Sequence, residues 1–99
     1  MLIHTVLFWL KPQTSPRVRE GMVADAHSDL SLIPAVRHLW SGRPAMTPRD
    51  VVDNSYDVGL CVVLDDQAGL DAYQPHELHH QFLAKYKPHW QRILVYDFK

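Results

Sequence analysis

The strongest constraint on the fold lies in residues 2–10, a strand pattern that is apolar on both faces. Side chains of a strand point alternately to opposite faces, and here both rows are mostly apolar. The first row is Leu2, His4, Val6, Phe8 and Leu10, and the second is Ile3, Thr5, Leu7 and Trp9. A strand of this kind is covered on both faces. The chain must therefore bury this strand between two layers.

The rest of the chain predicts two helical regions and three further strands. Ser15 and Pro16 predict a helix start, as N-cap and first helical residue, and this helix is expected to end before Pro34. Strands are predicted at 36–43, 56–64 and 93–98, with a loop at 44–54. Pro75 divides the second helical region into helices at about 67–74 and about 76–87. The resulting order is β-α-β-β-α-β, with the second helix broken.

This order is that of the ferredoxin-like α+β fold, and the length of 99 residues predicts a single domain over residues 1–99. Helices can cover only one face of such a four-stranded sheet. A second copy of the same sheet is the simplest cover for the other face, so we predict a homodimer with a symmetric interface. The alternative is an uncovered face with scattered exposed apolar residues, which is common in proteins.

Composition excludes several classes of partner. Ten basic residues against eleven acidic ones leave the chain near neutral, which argues against binding to nucleic acid. The first ten residues are apolar but carry no basic segment or cleavage site of a signal peptide, and they span only about half a membrane. The single cysteine, Cys61, fits a reducing compartment. We therefore expect a cytoplasmic protein with no membrane partner.

Residues 76–80, HELHH, match the H-E-x-x-H pattern of zinc peptidases. On a helical wheel with Leu78 at zero, His76 and His80 fall at about 160° and about 200°, at the margin of the apolar stripe and beyond it. A peptidase also needs a third protein ligand and an open coordination position, which this segment does not suggest. We interpret the match as coincidence and expect neither a metal nor a cofactor.

His79 is the more informative histidine, since it falls at about 100°, inside the apolar stripe. His4 lies equally among apolar neighbours in the first strand, and Tyr73 precedes Pro75 by two residues. If the His4 row faces the helices, His4 and His79 approach each other, and Tyr73 adds a hydroxyl. A few polar groups in an apolar layer are typical of a ligand site. The alternative is that both histidines are packed core residues.

Several segments together resemble the stress-responsive A/B barrel (Dabb) family across nearly the whole chain. They are His4-Thr5-Val6-Leu7-Phe8, Ile33-Pro34-Ala35-Val36, Gly42, Tyr56-Asp57-Val58, Tyr73-Gln74-Pro75-His76-Glu77-Leu78-His79 and the closing stretch 90–98. The segment from Tyr73 to His79 is similar to the family's Y-x-x-H-P-x-H signature, although Glu77 stands where the family has proline.

The resemblance implies a homodimer whose two sheets form an α+β barrel with the helices outside. The family includes a plant polyketide cyclase with a further third-strand histidine, where this chain has Val58. Its catalytic tyrosine and histidine match Tyr73 and His79, and its first-strand histidine matches His4. Carried over, His79 is the general base and Tyr73 donates to the developing oxyanion. Further substrate-binding positions are implied at Phe8, Leu60, His76, Phe82 and Trp90.

Three hypotheses about function follow. The first is a homodimer that binds a small, largely apolar or keto-type molecule in a pocket between sheet and helices, without an assigned activity. The second is an acid–base enzyme, a cyclase or lyase performing aldol-type chemistry on a keto substrate. The third is a purely structural dimer. Family membership alone does not decide between them.

Overall fold

The computed structural model describes all residues from 1 to 99 and contains four strands and three α-helices in the predicted order. The strands are β1 (Leu2–Leu10), β2 (Val36–Gly42), β3 (Val58–Leu64) and β4 (Trp90–Phe98). The helices are α1 (Pro16–Ser28), α2 (Gln67–Tyr73) and α3 (Glu77–Tyr86). The ferredoxin-like prediction is confirmed, including the break in the second helical region.

The four strands form one antiparallel sheet in the order β2-β3-β1-β4. Opposite His4 of β1 lie Val62 of β3 and Asp97 of β4. Because residues opposite each other across antiparallel strands share a face, Asp97 points to the same side as His4. This register brings the charged end of β4 beside the histidine of the first strand.

The helices pack on the face of the sheet that carries the His4 row. Leu2, Val6 and Phe8 of that row are buried, and His4 is the one buried polar side chain. The same cluster includes Met22 and Ala26 of α1 and Phe82 and Tyr86 of α3. The four-residue spacing of these helical pairs places each pair on one side of its helix. The core is therefore a single layer between sheet and helices.

Helix α1 ends before Pro34 as predicted, at Ser28, and a turn of 3₁₀-helix at Leu30–Leu32 follows it. Two predicted strand starts are wrong. Strand β3 begins at Val58 rather than at residue 56. Strand β4 begins at Trp90 rather than at residue 93, because Trp90 pairs with Leu10 through an irregularity at the end of β1. The polar Gln91 and Arg92 hide this extension, since they interrupt the apolar pattern of the strand.

The opposite side of the sheet carries no helix, and we call it the open face. It is formed by alternate residues of the four strands, namely Ile3, Thr5, Leu7 and Trp9, His38 and Trp40, Gly59, Cys61 and Val63, and Leu94, Tyr96 and Phe98. Tyr96 and Phe98 are 57% and 60% exposed. None of the helices has the length and apolar character needed to cross a membrane.

Candidate functional site

A cavity of about 130 Å³ lies between the sheet and the helices. Ten of the 13 residues around it are hydrophobic, and none of them is a lysine, arginine, aspartate or glutamate. The lining residues are His4, Val6, Phe8, Leu30, Leu60, Tyr73, Gln74, His79, Phe82, Leu83, Trp90, Ile93 and Val95. Three of the polar groups predicted from the sequence therefore border one apolar space.

Tyr73 is the last residue of α2, and its side chain points into the core with only 1% of its surface exposed. Asp66 fixes the start of this short helix, because its carboxylate accepts a hydrogen bond from the Gly69 amide at 3.0 Å. The Tyr73 hydroxyl makes no hydrogen bond to the protein. Burial alone raises the pKa of this hydroxyl far above its ordinary value, so it remains a protonated donor at neutral pH.

The chain turns between α2 and α3, and this turn brings Tyr73 and His79 together. Pro75 lies in the turn, and His76 caps the start of α3 by accepting a hydrogen bond from the Leu78 amide on Nδ1 at 3.1 Å. The rings of Tyr73 and His79 meet edge to face, with centroids 4.8 Å apart. His79 therefore lies in the first turn of α3, three residues after His76, the residue that caps the start of this helix.

The His79 ring is half-buried, and its two nitrogens differ. Nδ1 is fully buried without a hydrogen bond of ordinary geometry. Burial lowers the pKa of the imidazole, the backbone of Gln74 opposes that shift, and charge on His80 or His4 lowers the pKa further. A neutral ring with a lone pair on one nitrogen is therefore the dominant form of His79 at neutral pH.

His4 lies on the other side of Tyr73, with a centroid distance of 6.1 Å between their rings. Its Nδ1 lies 2.5 Å from Oδ1 of Asp97, whose side chain is 42% exposed. An ionised carboxylate only accepts hydrogen bonds, so Nδ1 of His4 carries the proton. This contact fixes the orientation of the ring and leaves Nε2 free of protein partners.

The structure brings most of the residues predicted from the sequence to this cavity. His4, Tyr73 and His79 border it together with the predicted binding residues Phe8, Leu60, Phe82 and Trp90. His76 does not border it, because its ring caps α3 instead. Asp97 was missed. Its signal was its place in the alternation of β4, where it shares a face with Ile93 and Val95.

Two further observations describe the surroundings of the cavity. The indole Nε1 of Trp90 is buried without a hydrogen-bond partner, while the Trp90 ring packs on Phe8 with centroids 4.7 Å apart. No group of three histidine, cysteine, aspartate or glutamate side chains converges in a way that could hold a metal ion. The side chains of the cavity lining that can donate or accept a proton are the Tyr73 hydroxyl and the two imidazoles of His4 and His79.

Solved structures share this fold over nearly their whole length. A Dabb family protein with a ferredoxin-like fold from Mesorhizobium loti has a TM-score of 0.79 and 27% identity, covering 99% of this chain and 94% of that chain. A dimeric ferredoxin-like protein of unknown function from Thermobifida fusca has a TM-score of 0.83 and 23% identity, with coverage of 98% and 88%. The hydroxynitrile lyase of Passiflora edulis has a TM-score of 0.81 and 17% identity, with coverage of 98% and 90%.

Curated proteins give no significant sequence match to this chain. In contrast, the sequence profile described as the Stress responsive A/B Barrel Domain matches residues 2–99. That match covers all four strands and all three helices. This chain therefore belongs to the stress-responsive A/B barrel (Dabb) family.

Proposed function

We propose that this protein is a homodimer that binds a small, largely apolar molecule in the cavity bordered by His4, Tyr73 and His79. One observation carries the proposal: the Tyr73 hydroxyl and a histidine on each side of it border the same apolar space, and the hydroxyl has no protein partner. A polar group in apolar surroundings is unfavourable without a hydrogen bond, and a ligand that bonds to the hydroxyl offsets that cost.

The homodimer is supported by the open face of the sheet. Leu7, Trp40, Leu94, Tyr96 and Phe98 form an apolar surface there that no helix covers. A continuous exposed apolar surface marks an interaction site, and the same surface on a second copy is a self-complementary partner. The protein from Thermobifida fusca with the same fold is described as dimeric.

The dimer is tested with Tyr96→Arg, because Tyr96 is exposed on the open face and the folded monomer tolerates a charge there. We expect the variant to elute as a folded monomer in size-exclusion chromatography with light scattering. Glu20→Arg on the exposed side of α1 is the control and is expected to stay dimeric. A wild-type protein that is monomeric at micromolar concentration contradicts the proposal.

Ligand binding is tested with acetophenone, an apolar ring that carries one carbonyl. We expect it to shift the NMR signals of the Trp90 indole and the His79 ring, and to bind more weakly to Tyr73→Phe because the carbonyl loses its donor. The controls are His80→Ala and Tyr56→Phe, which lie outside the cavity. Equal weakening by the controls, or shifts confined to the open face, count against the proposal.

A second candidate function is acid–base catalysis on a keto substrate. It is favoured by the protonation states of Tyr73, at the end of α2, and His79, in the first turn of α3. The lowered pKa of His79 keeps a lone pair available as general base. The protonated Tyr73 can donate to the oxygen of an enolate as negative charge develops there. The carbon–hydrogen bond breaks, its proton moves to the imidazole, and its electron pair forms the enolate. The enolate carbon attacks a second carbonyl, whose oxygen takes the π electrons and then the proton from the imidazolium.

This candidate is tested by hydrogen exchange of the acetophenone methyl group in heavy water, followed by NMR. An enzyme of this type accelerates the exchange, and His79→Ala removes the acceleration while the protein stays a folded dimer. His80→Ala is again the matched control. Exchange at the uncatalysed rate in the presence of bound acetophenone leaves a binding protein without this chemistry.

A further inference from the structure

The cavity restricts its ligand by size. Its volume of about 130 Å³ is close to that of an engineered cavity of about 150 Å³ that holds one benzene molecule. Val6 and Leu60 of the sheet and Phe82 of α3 bound this space. The enclosed space therefore accommodates a single ring or a short branched chain of about six to nine non-hydrogen atoms.

The cavity also restricts its ligand by charge. No lysine, arginine, aspartate or glutamate borders it, and burial keeps His79 neutral. Asp97 is already paired with His4, so that pair supplies no net positive charge for an anion. Burying an ion without a partner is strongly unfavourable, and we therefore expect the ligand to be uncharged.

The hydrogen-bonding groups specify what the ligand must present. Tyr73 offers a hydrogen-bond donor, and the neutral ring of His79 offers a lone pair as acceptor. The centres of the two rings lie 4.8 Å apart. Since the two rings are in contact, a ligand that bonds to both presents an acceptor oxygen and a hydroxyl close to each other. An α-hydroxycarbonyl group has this arrangement, with the carbonyl facing Tyr73 and the hydroxyl facing His79.

We propose that the cavity selects uncharged α-hydroxycarbonyl compounds no larger than about one six-membered ring. The proposal rests on the ligand-binding function proposed above and adds the class of compound. The walls fix its size, the lack of a counter-ion fixes its charge, and the paired donor and acceptor fix its functional group.

The test is an NMR titration of the full-length protein with four probes. They are α-hydroxycyclohexanone, cyclohexanone, the twelve-membered ring α-hydroxycyclododecanone and the α-hydroxycyclohexane carboxylate anion. We expect α-hydroxycyclohexanone to bind about tenfold more tightly than cyclohexanone, because it makes one more hydrogen bond. The large ring and the carboxylate are expected to leave the signals of Trp90 and His79 unshifted.

Variants assign the extra affinity to its residue. His79→Leu retains an apolar side chain of comparable size but has no hydrogen-bond acceptor, so the advantage of α-hydroxycyclohexanone over cyclohexanone should fall to about twofold or less. His80→Ala should retain the full advantage. Because wild-type selectivity among the probes is itself a result, the test does not depend on the folding of any variant.

The outcomes separate the two proposals. Binding of the large ring or the carboxylate as tightly as α-hydroxycyclohexanone overturns the selectivity while leaving a ligand site in place. Equal affinity for cyclohexanone and α-hydroxycyclohexanone overturns the role of the paired donor and acceptor. If neither these probes nor acetophenone shifts a cavity residue, both the selectivity and the binding function are wrong.

Discussion

Replacing Tyr73 by phenylalanine separates a functional hydroxyl from a structural one. The side chain is 1% exposed, and its hydroxyl has no protein partner. Transfer of an unpaired hydroxyl into a protein interior costs about 1–3 kcal/mol. The neighbouring cavity of about 130 Å³ is large enough to admit water, which would recover part of that cost. Tyr73→Phe should therefore leave stability unchanged or raise it by up to about 1.5 kcal/mol.

The matched control is Tyr86→Phe, which removes the hydroxyl of another buried tyrosine, 3% exposed, whose hydroxyl does have a partner. Tyr86 donates to the carboxylate of Asp25, which also binds Lys85 at 2.8 Å. Hydrogen bonds to charged groups contribute about 1.5–3 kcal/mol, and Lys85 remains to satisfy the carboxylate. We therefore expect Tyr86→Phe to destabilise the protein by about 1.5 kcal/mol.

Urea unfolding and thermal melts of both variants measure the difference. For a domain of this size, 1 kcal/mol corresponds to a shift of roughly 4–8 °C in Tm. Tyr73→Phe should keep or increase the wild-type Tm while losing affinity for ketone probes. A loss of more than about 1 kcal/mol in Tyr73→Phe, comparable to that in Tyr86→Phe, would refute the argument and assign the hydroxyl to the fold.

Three further predictions concern other parts of the chain. Burial lowers the pKa of His79 in the folded state, so as pH falls below about 6.5 the unfolded chain binds this proton before the folded protein does. The free energy of unfolding should therefore decrease below that pH. Urea unfolding at several pH values should show a smaller decrease for His79→Gln. Gly21→Ala places a Cβ 2.9 Å from the Tyr86 hydroxyl. In thermal melts it should therefore give no gain in stability in the wild type, but a gain of about 1 kcal/mol when it is combined with Tyr86→Phe. Asp97→Ala should cost about 1 kcal/mol in urea unfolding by leaving His4 Nδ1 unpaired, with partial recovery in Asp97→Asn; no loss contradicts the proposed orientation of His4.

The order of strands and helices could be predicted because each element carries its own local signal. Ser15 and Pro16 specify one helix start, and the alternation in 2–10 specifies a strand whatever surrounds it. The start of β4 could not be predicted in this way. Trp90 joins the sheet through its pairing with Leu10, a contact between distant parts of the chain that leaves no mark in a local pattern.

The predicted site depended on the face to which each residue points. His4 and His79 were identified because each is a polar residue within an apolar row, and the structure places both beside the cavity. Asp97 was not identified, because its relation to His4 depends on the register between β1 and β4. His76 is predicted as a site residue from the family signature, whereas in the structure its ring accepts a hydrogen bond from the Leu78 amide.

The break between α2 and α3 has a consequence for how such sites tolerate insertions and deletions. On an uninterrupted helix, residues six apart differ by about 600° of rotation, or about 240°, and point to different sides. Tyr73 and His79 are six apart and yet touch, so their contact depends on the number of residues in the turn. One residue added or removed there would change the position and direction of α3 relative to α2, and with them the contact between His79 and Tyr73. Length is therefore under tighter constraint in this turn than residue type, and a homologue with an altered length here should be expected to have lost the site even if both side chains remain.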